Sequence, residues 1–324
     1  ITEHDAAPIA AAARFEGSDL VIDWGHEAHQ TRFAVEMLTG FRANGAIADA
    51  AAIKRKLWYA DHYPNFTRVT QADVENDAAT RATLAKAIIE EGVAIVTGME
   101  NSDAGLTRLA ECLGEVTPTT DGYYFDVKLH INPSNLAYTA HALEMHTDLP
   151  CEQMAPGVQF LHCRANSVEG GRSLFCDGAA VAEAFRISNP EDFALLAEHA
   201  VPFFRRHAKH DTRAHQHVIE LDRDGSVSGL TISQHLADKF DLPQEVLDAY
   251  YPAFCRFIRT IKDARFLNHF RLNAGECIVF DNHRVVHGRE SYTASSGDRH
   301  LRGCYVDRGA LRSTYRVLVR DGVQ

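Results

Sequence analysis

His146 and Asp148 stand two residues apart in LEMHTDLP, the stretch from Leu143 to Pro150. In an extended segment, side chains i and i+2 project to the same face, so an imidazole and a carboxylate would converge with Thr147 turned away. With a second imidazole they would form a 2-His-1-carboxylate face for Fe(II), leaving positions open for substrate and O2. The chain holds 18 His, so about one His-x-Asp pair arises by chance. Alone, the pair reads as a hydrogen-bonded structural couple. Later residues change that balance. ECIVFDNHRVVHGRESY, from Glu276 to Tyr292, is a strand-like run on which both faces are apolar, and His287 sits just past it beside Gly288. Arg299 follows in GDRHLRGCYVD. 2-Oxoglutarate chelates Fe(II) through its C1 carboxylate and C2 keto oxygen. Its far carboxylate then needs a bidentate partner, which Arg supplies better than Lys. Ser173, in GGRS, offers a hydroxyl to the same carboxylate. The bland reading of Arg299 is a surface ion pair.

These groups must be held by strands. GVQFLHC (157–163), GRSLFCDG (171–178), the run ending in IVFDN and RHLRGCYVD all read as strands broken by turn residues. Asp77 reads as an N-cap for a helix with Leu84 and Ile88 on one face and Gly92 as its stop, and VAIVTG (93–98) as a buried strand after it. SNPEDFALLAEHA (188–200) and LPQEVLDAYYPAFCRFIRTIK (242–262) read as helices, the second carrying Pro252 inside. SDLVIDWGHEAHQTRFAVEML (18–38) reads as a hairpin, and the polar stretch from Tyr63 to Asn76 as a linker. The expected fold is mainly β with added helices: a small N-terminal domain over 1–70 and a jelly-roll domain over 71–324.

The 324 residues are 45% hydrophobic and 24% charged, with a net charge of −11. This is globular composition without a basic stripe, so no nucleic acid partner is expected. No apolar run suggests a membrane span or a signal peptide. Seven Cys, scattered and without Cys-x-x-Cys, suggest reduced thiols and a cytoplasmic protein.

LEMHTDLPCEQMAPGVQFLHC, GGRSLFCDG, IVFDNHRVVHGRESY and RHLRGCYVD resemble the γ-butyrobetaine and trimethyllysine dioxygenases, within the taurine-dioxygenase-like Fe(II)/2-oxoglutarate oxygenases. VIDWGHEAHQTRF resembles the end of that family's small N-terminal domain. The resemblance implies a double-stranded β-helix with iron on His146, Asp148 and His287. It also implies 2-oxoglutarate on Arg299, with Ser173 and Leu161 beside it, ascorbate as reductant, and a homodimer. Relatives hold a zinc with a Cys cluster and a later His. His29 falls near that His, but no Cys precedes it here. His29 is therefore a zinc candidate whose partners would have to precede Ile1, with a surface role as the alternative.

Relatives surround a trimethylammonium group with rings, the suitable partners for a cation that cannot donate hydrogen bonds. The matching positions are Phe125, Tyr138 and Tyr305, with Tyr123 and Tyr124 nearby and Asp121 where the animal enzyme has Tyr. Asn135 matches a residue that binds the substrate's anion. A second such Asn is replaced within ISQH by Ser233, Gln234 and His235. A remodelled donor set suits three phosphonate oxygens. The expected reaction is hydroxylation of a small trimethylammonium zwitterion, 2-(trimethylamino)ethylphosphonate (to its 1-hydroxy product) ahead of γ-butyrobetaine (to L-carnitine). Two rival readings stay open: a zinc hydrolase on the same triad, and a betaine-binding protein.

Overall fold

The computed structural model describes residues 9–25, 29–39, 49–129, 139–207 and 209–323. Asn135 and Tyr138 lie outside these residues. The chain divides into two compact units, Ile1–Asp49 and Ala50–Gln324. In the first, strands Ala12–Glu16, Asp19–Asp23 and Gln30–Ala34 form an antiparallel meander, followed by a short helix, Val35–Thr39. The expected hairpin is thus present, with one more strand before it. Gly17, at φ 61°, makes the first tight turn.

The boundary falls at Asp49/Ala50 rather than near residue 70, because the intervening residues belong to the larger core. Ala51, Trp58 and Phe66 are all buried. The stretch from Tyr63 to Asn76 is likewise not a linker. It forms a 3-10 turn (Tyr63–Asn65), a strand (Arg68–Thr70) and a helix (Gln71–Asn76). Tyr63 stacks on Phe270 at 4.2 Å between centroids, so a sequence that looks polar still contributes rings to the core.

Two large sheets, with three two-stranded ones beside them among the described residues, build the larger unit. One has six strands in the order Arg68–Thr70, Val93–Thr97, Cys277–Asp281, Val158–Asn166, Arg299–Val306, Phe125–Lys128. The other has four: Asn268–Phe270, Ser173–Asp177, Val285–Arg289, Leu143–His146. Strand alternation sorts their side chains. Phe160, Val279 and Cys304 point outward under helices Ala78–Glu90, Asp103–Glu111 and Arg308–Arg320. Met145, Cys176 and Val286 point outward under helices Gly178–Ser188, Pro190–Glu198 and Gln244–Ile261. The inward residues Phe175, Phe270, Ile278, Phe280 and Leu301 meet between the sheets. This face-to-face packing agrees with a double-stranded β-helix. Each fully buried Phe contributes roughly 2 kcal/mol by area.

The Asp77 cap, the helix Ala78–Glu90 and the strand Val93–Thr97 stand where the sequence places them; the Asp77 side chain accepts from the amides of Ala79 and Thr80. The helix Gly178–Ser188, the helix Arg308–Arg320 and the hairpin Ala200–His207/His210–His217 were not legible. The hairpin is rich in His and Arg and lacks apolar alternation, and the first helix is written in small residues. No helix among the described residues is long and apolar enough to cross a membrane.

Candidate active site

His146 is the last residue of its strand, and Asp148 lies beyond it in a turn. The two converge through that turn rather than by strand alternation. Leu149 takes φ 50°, a conformation Leu rarely adopts, and the turn is clamped from outside. The Asp148 amide donates to Asn282 Oδ1 at 2.7 Å, and Asn282 Nδ2 donates to the carbonyls of Asp148 and Pro156 at 3.1 and 2.9 Å. Thr147 turns away and is tied to Ile232.

His287 is in the middle of the strand Val285–Arg289, not past a strand end, and it pairs directly with His146. A Cβ on Gly288 would meet the Leu143 carbonyl oxygen at 2.7 Å, so Gly after His287 lets the two strands approach. The His146 and His287 rings are 4.4 Å apart. His146 Nδ1–H donates to the Glu144 carbonyl at 2.7 Å, which aims Nε2 at Asp148, 3.1 Å from Oδ1. His287 Nε2 is 3.7 Å from the same oxygen. Among the described residues, this is the only set of three ligand-type side chains close enough to share an ion, with ligand atoms within 4.8 Å of one another. Burial, then the neighbouring His146, pushes His287 down to about 3, so its imidazole is neutral. Burial alone would raise the Asp148 carboxyl, but His287, His146 and the Tyr305 hydroxyl together hold it well below the usual carboxylate range. A neutral His287 beside an ionised Asp148 matches what a divalent cation requires of its ligands.

Arg299 lines the same cavity, with Ser173 and Leu161. Its Nε and Nη1 are buried and have no hydrogen-bond partner among the described residues. Burial, then Arg289, lowers the guanidinium to about 10, which leaves it protonated at neutral pH. A half-buried cation whose buried donors lack a partner calls for an anion. The far carboxylate of 2-oxoglutarate would satisfy both donors, so the residues present fit that co-substrate.

At the other end, Tyr305 lies on the Arg299–Val306 strand, roughly 20 Å from Arg299 at about 3.3 Å per residue. Its hydroxyl donates to Asp148 Oδ2 at 2.7 Å, so it orients a triad member besides offering a ring. Phe125 stacks on it at 5.1 Å, in space that a Cβ on Gly303 would fill. Several other expected residues are placed differently. Asp121 lines the cavity, but Arg205 engages both its oxygens at 2.7 Å and neutralises it. Tyr123 is 58% exposed, and Tyr124 hydrogen-bonds Thr107. Neither lines the cavity, because only Phe125 of that run enters the sheet. Ser233 is fully buried, 3.3 Å from His235 Nδ1, and Gln234 faces a separate groove beside Tyr251. Of those three, only His235 reaches the cavity, its ring 5.3 Å from that of His146. His29 is exposed and lies 3.4 Å from the Thr31 hydroxyl.

Sequence reasoning missed Asn282, Gln159 and Arg205. Asn282 follows the Cys277–Asp281 strand as an ordinary polar residue, and Arg205 sits on the unforeseen hairpin. The alternation of GVQFLHC could have flagged Gln159, a polar residue on the inward face.

Residues 60–305 match the taurine catabolism dioxygenase TauD, TfdA family. The chain is 39% identical over 234 residues to a γ-butyrobetaine dioxygenase of Pseudomonas sp. (strain AK-1), covering 72% of this chain and 61% of that protein. It is 28% identical over 318 residues to human mitochondrial trimethyllysine dioxygenase, covering 94% of this chain and 73% of that protein. It thus spans about three-fifths of the length of the first of these relatives. The non-heme iron oxygenase OrfP, in complex with Fe and alpha-ketoglutaric acid, superposes with a TM-score of 0.56 at 15% identity, over 74% of this chain and 84% of that one, a likeness of fold. The match over residues 60–305 and the paired-sheet fold lead to one assignment: the chain belongs to the TauD/TfdA dioxygenase family.

Proposed function

We propose that this protein is an Fe(II)- and 2-oxoglutarate-dependent dioxygenase that hydroxylates a small trimethylammonium zwitterion. The observation carrying this reading is one cavity that holds His146, Asp148 and His287 together with Arg299, whose buried Nε and Nη1 have no partner among the described residues. A zinc hydrolase or a betaine binder gives those donors no purpose. In this reading the triad holds iron, Arg299 grips the far carboxylate of 2-oxoglutarate, and Ser173 and Leu161 border that carboxylate's site. When bound, iron and the keto acid supply the oxygen-activating redox chemistry, and 2-oxoglutarate leaves as succinate and CO2. The chain's own work is orientation. Asn282 and Tyr305 fix Asp148, the Glu144 carbonyl fixes the His146 tautomer, and the apolar wall of Phe175 and Phe280 shields His287 from water.

The trimethylammonium class is supported by the γ-butyrobetaine and trimethyllysine dioxygenase relatives and by the Phe125–Tyr305 stack. The donor set that favoured a phosphonate is not assembled, since Ser233 and Gln234 stay out of the cavity. We therefore place a trimethylammonium carboxylate of the γ-butyrobetaine type first, with 2-(trimethylamino)ethylphosphonate second; of Ser233, Gln234 and His235, only His235 lines the cavity, and Asn135 lies outside the described residues. The test supplies Fe(II), ascorbate, 2-oxoglutarate and O2 with a panel of trimethylammonium carboxylates and phosphonates. Succinate and a hydroxylated product should form together. Absence of substrate-stimulated succinate across the panel would overturn the substrate class, and absence of any 2-oxoglutarate turnover would overturn the enzyme reading.

A further inference from the structure

Gln159 is 2% exposed, lines the cavity, and holds a buried side-chain oxygen, Oε1, that has no hydrogen-bond partner among the described residues. An unsatisfied buried acceptor costs stability and persists where a ligand completes it. Its position identifies the kind of ligand. Gln159 pairs across the sheet with Tyr305 on one side and Phe280 on the other. Directly opposite residues bring their Cβ atoms to about 5 Å, so the amide lies beside the ring on which Phe125 stacks. The cavity therefore carries orphan groups of opposite kind at its two ends. Arg299 presents donors, which an anion satisfies; Gln159 presents an acceptor beside ring faces, which a cation satisfies.

We propose that Gln159 determines specificity for the cationic head of the substrate, its amide oxygen facing the ammonium group while Phe125 and Tyr305 pack against it. This rests on the trimethylammonium reading above. A trimethylammonium group has no N–H to donate. Its charge is spread over methyl C–H groups, which make weak contacts to oxygen and are drawn to ring faces. The nearby carboxylate of Asp121 does not serve this purpose, because Arg205 already cancels its charge. A second buried carboxylate near Asp148 would have to be desolvated and would repel it. An amide oxygen supplies negative potential without either penalty.

The test compares wild type with Gln159→Met, which keeps length and removes the acceptor, and Gln159→Glu, which keeps the acceptor and adds charge. Full-length protein loaded with Fe(II) and 2-oxoglutarate under anaerobic conditions is titrated with γ-butyrobetaine and with its neutral-headed carbon isostere, 5,5-dimethylhexanoate. In Gln159→Met the betaine Kd should rise about tenfold while that of the isostere stays within about twofold. The ligand-free variant should melt no lower than wild type, since an unsatisfied polar atom has been removed. Gln159→Glu should retain the preference for the betaine. Equal weakening of both ligands with a lower melting temperature would make Gln159 a structural residue and overturn the inference, as would unchanged betaine affinity. If Gln159→Met does not fold, loss of the betaine preference in Gln159→Glu overturns the inference and its retention supports it. Failure of wild type to bind any trimethylammonium zwitterion would instead overturn the substrate reading, and this inference with it.

Discussion

His146 and His287 sit side by side on paired strands, whereas Asp121 and His235 reach the same cavity from turns. The strand-borne half is fixed by register. Once Leu143–His146 pairs with Val285–Arg289, the two imidazoles have to meet. The turn-borne half has no such periodicity. Ser233, Gln234 and His235 are consecutive, yet one is buried, one faces another groove and one enters the cavity. His146, His287, Arg299 and the Phe125, Gln159 and Tyr305 side chains of the proposed substrate end ride on strands, and the turn that carries Asp148 is clamped by Asn282; the rim residues Asp121 and His235 sit on turns outside that register.

This division can be broken most forcefully at the triad. His146→Ala and Asp148→Ala should each abolish metal binding and lower turnover by about three orders of magnitude or more. Their circular dichroism should remain native, because the three hydrophobic clusters do not depend on the triad. Metal retention measured by equilibrium dialysis in either variant would contradict the assignment.

Arg299→Lys keeps a charge but loses the planar fork. The KM for 2-oxoglutarate should rise by about ten- to a hundredfold, with a smaller change for the prime substrate. Initial-rate kinetics with each substrate varied in turn distinguish this from a general loss. If only the prime substrate's KM moved, the two ends of the cavity would be assigned the wrong way round.

Tyr305→Phe sharpens the comparison, because one residue serves both halves. Removing the hydroxyl frees Asp148 Oδ2 while the ring on Phe125 survives. Metal affinity should fall about tenfold, with the preference for a cationic over a neutral head intact. Loss of that preference with metal affinity unchanged would mean that the hydroxyl belongs to the substrate site.

The smallest effect is expected from Arg205→Ala, which releases Asp121 at the rim. The prime substrate's KM should shift by about threefold, since a partly exposed ion pair contributes little. The KM for 2-oxoglutarate should not move, and a shift there would show that the rim and the Arg299 end are coupled.

What was legible in the sequence follows the same division. His146, His287 and Arg299 could be singled out because the proposed metal and dicarboxylate call for those residue types, although the two-residue alternation expected to bring His146 and Asp148 together gives way to a turn. The strand Val93–Thr97 and the helix before it were readable because their signals are local: a continuous apolar run, the Asp77 cap and a shared helical face. The extent of the smaller unit was not, because Trp58 and Phe66 are isolated rings in a polar stretch whose burial depends on distant partners. Asn282 was invisible for a related reason. Its bonds to Asp148 and Pro156 join segments that no local pattern connects.

The central claim, that the triad and Arg299 form one site for a metal and 2-oxoglutarate, is tested most directly by titrating 2-oxoglutarate into the protein anaerobically, with and without Fe(II). The account predicts binding that tightens strongly when Fe(II) is present and that is weakened by both His146→Ala and Arg299→Lys. Affinity that is the same with and without the metal, or indifferent to Arg299→Lys, would contradict it.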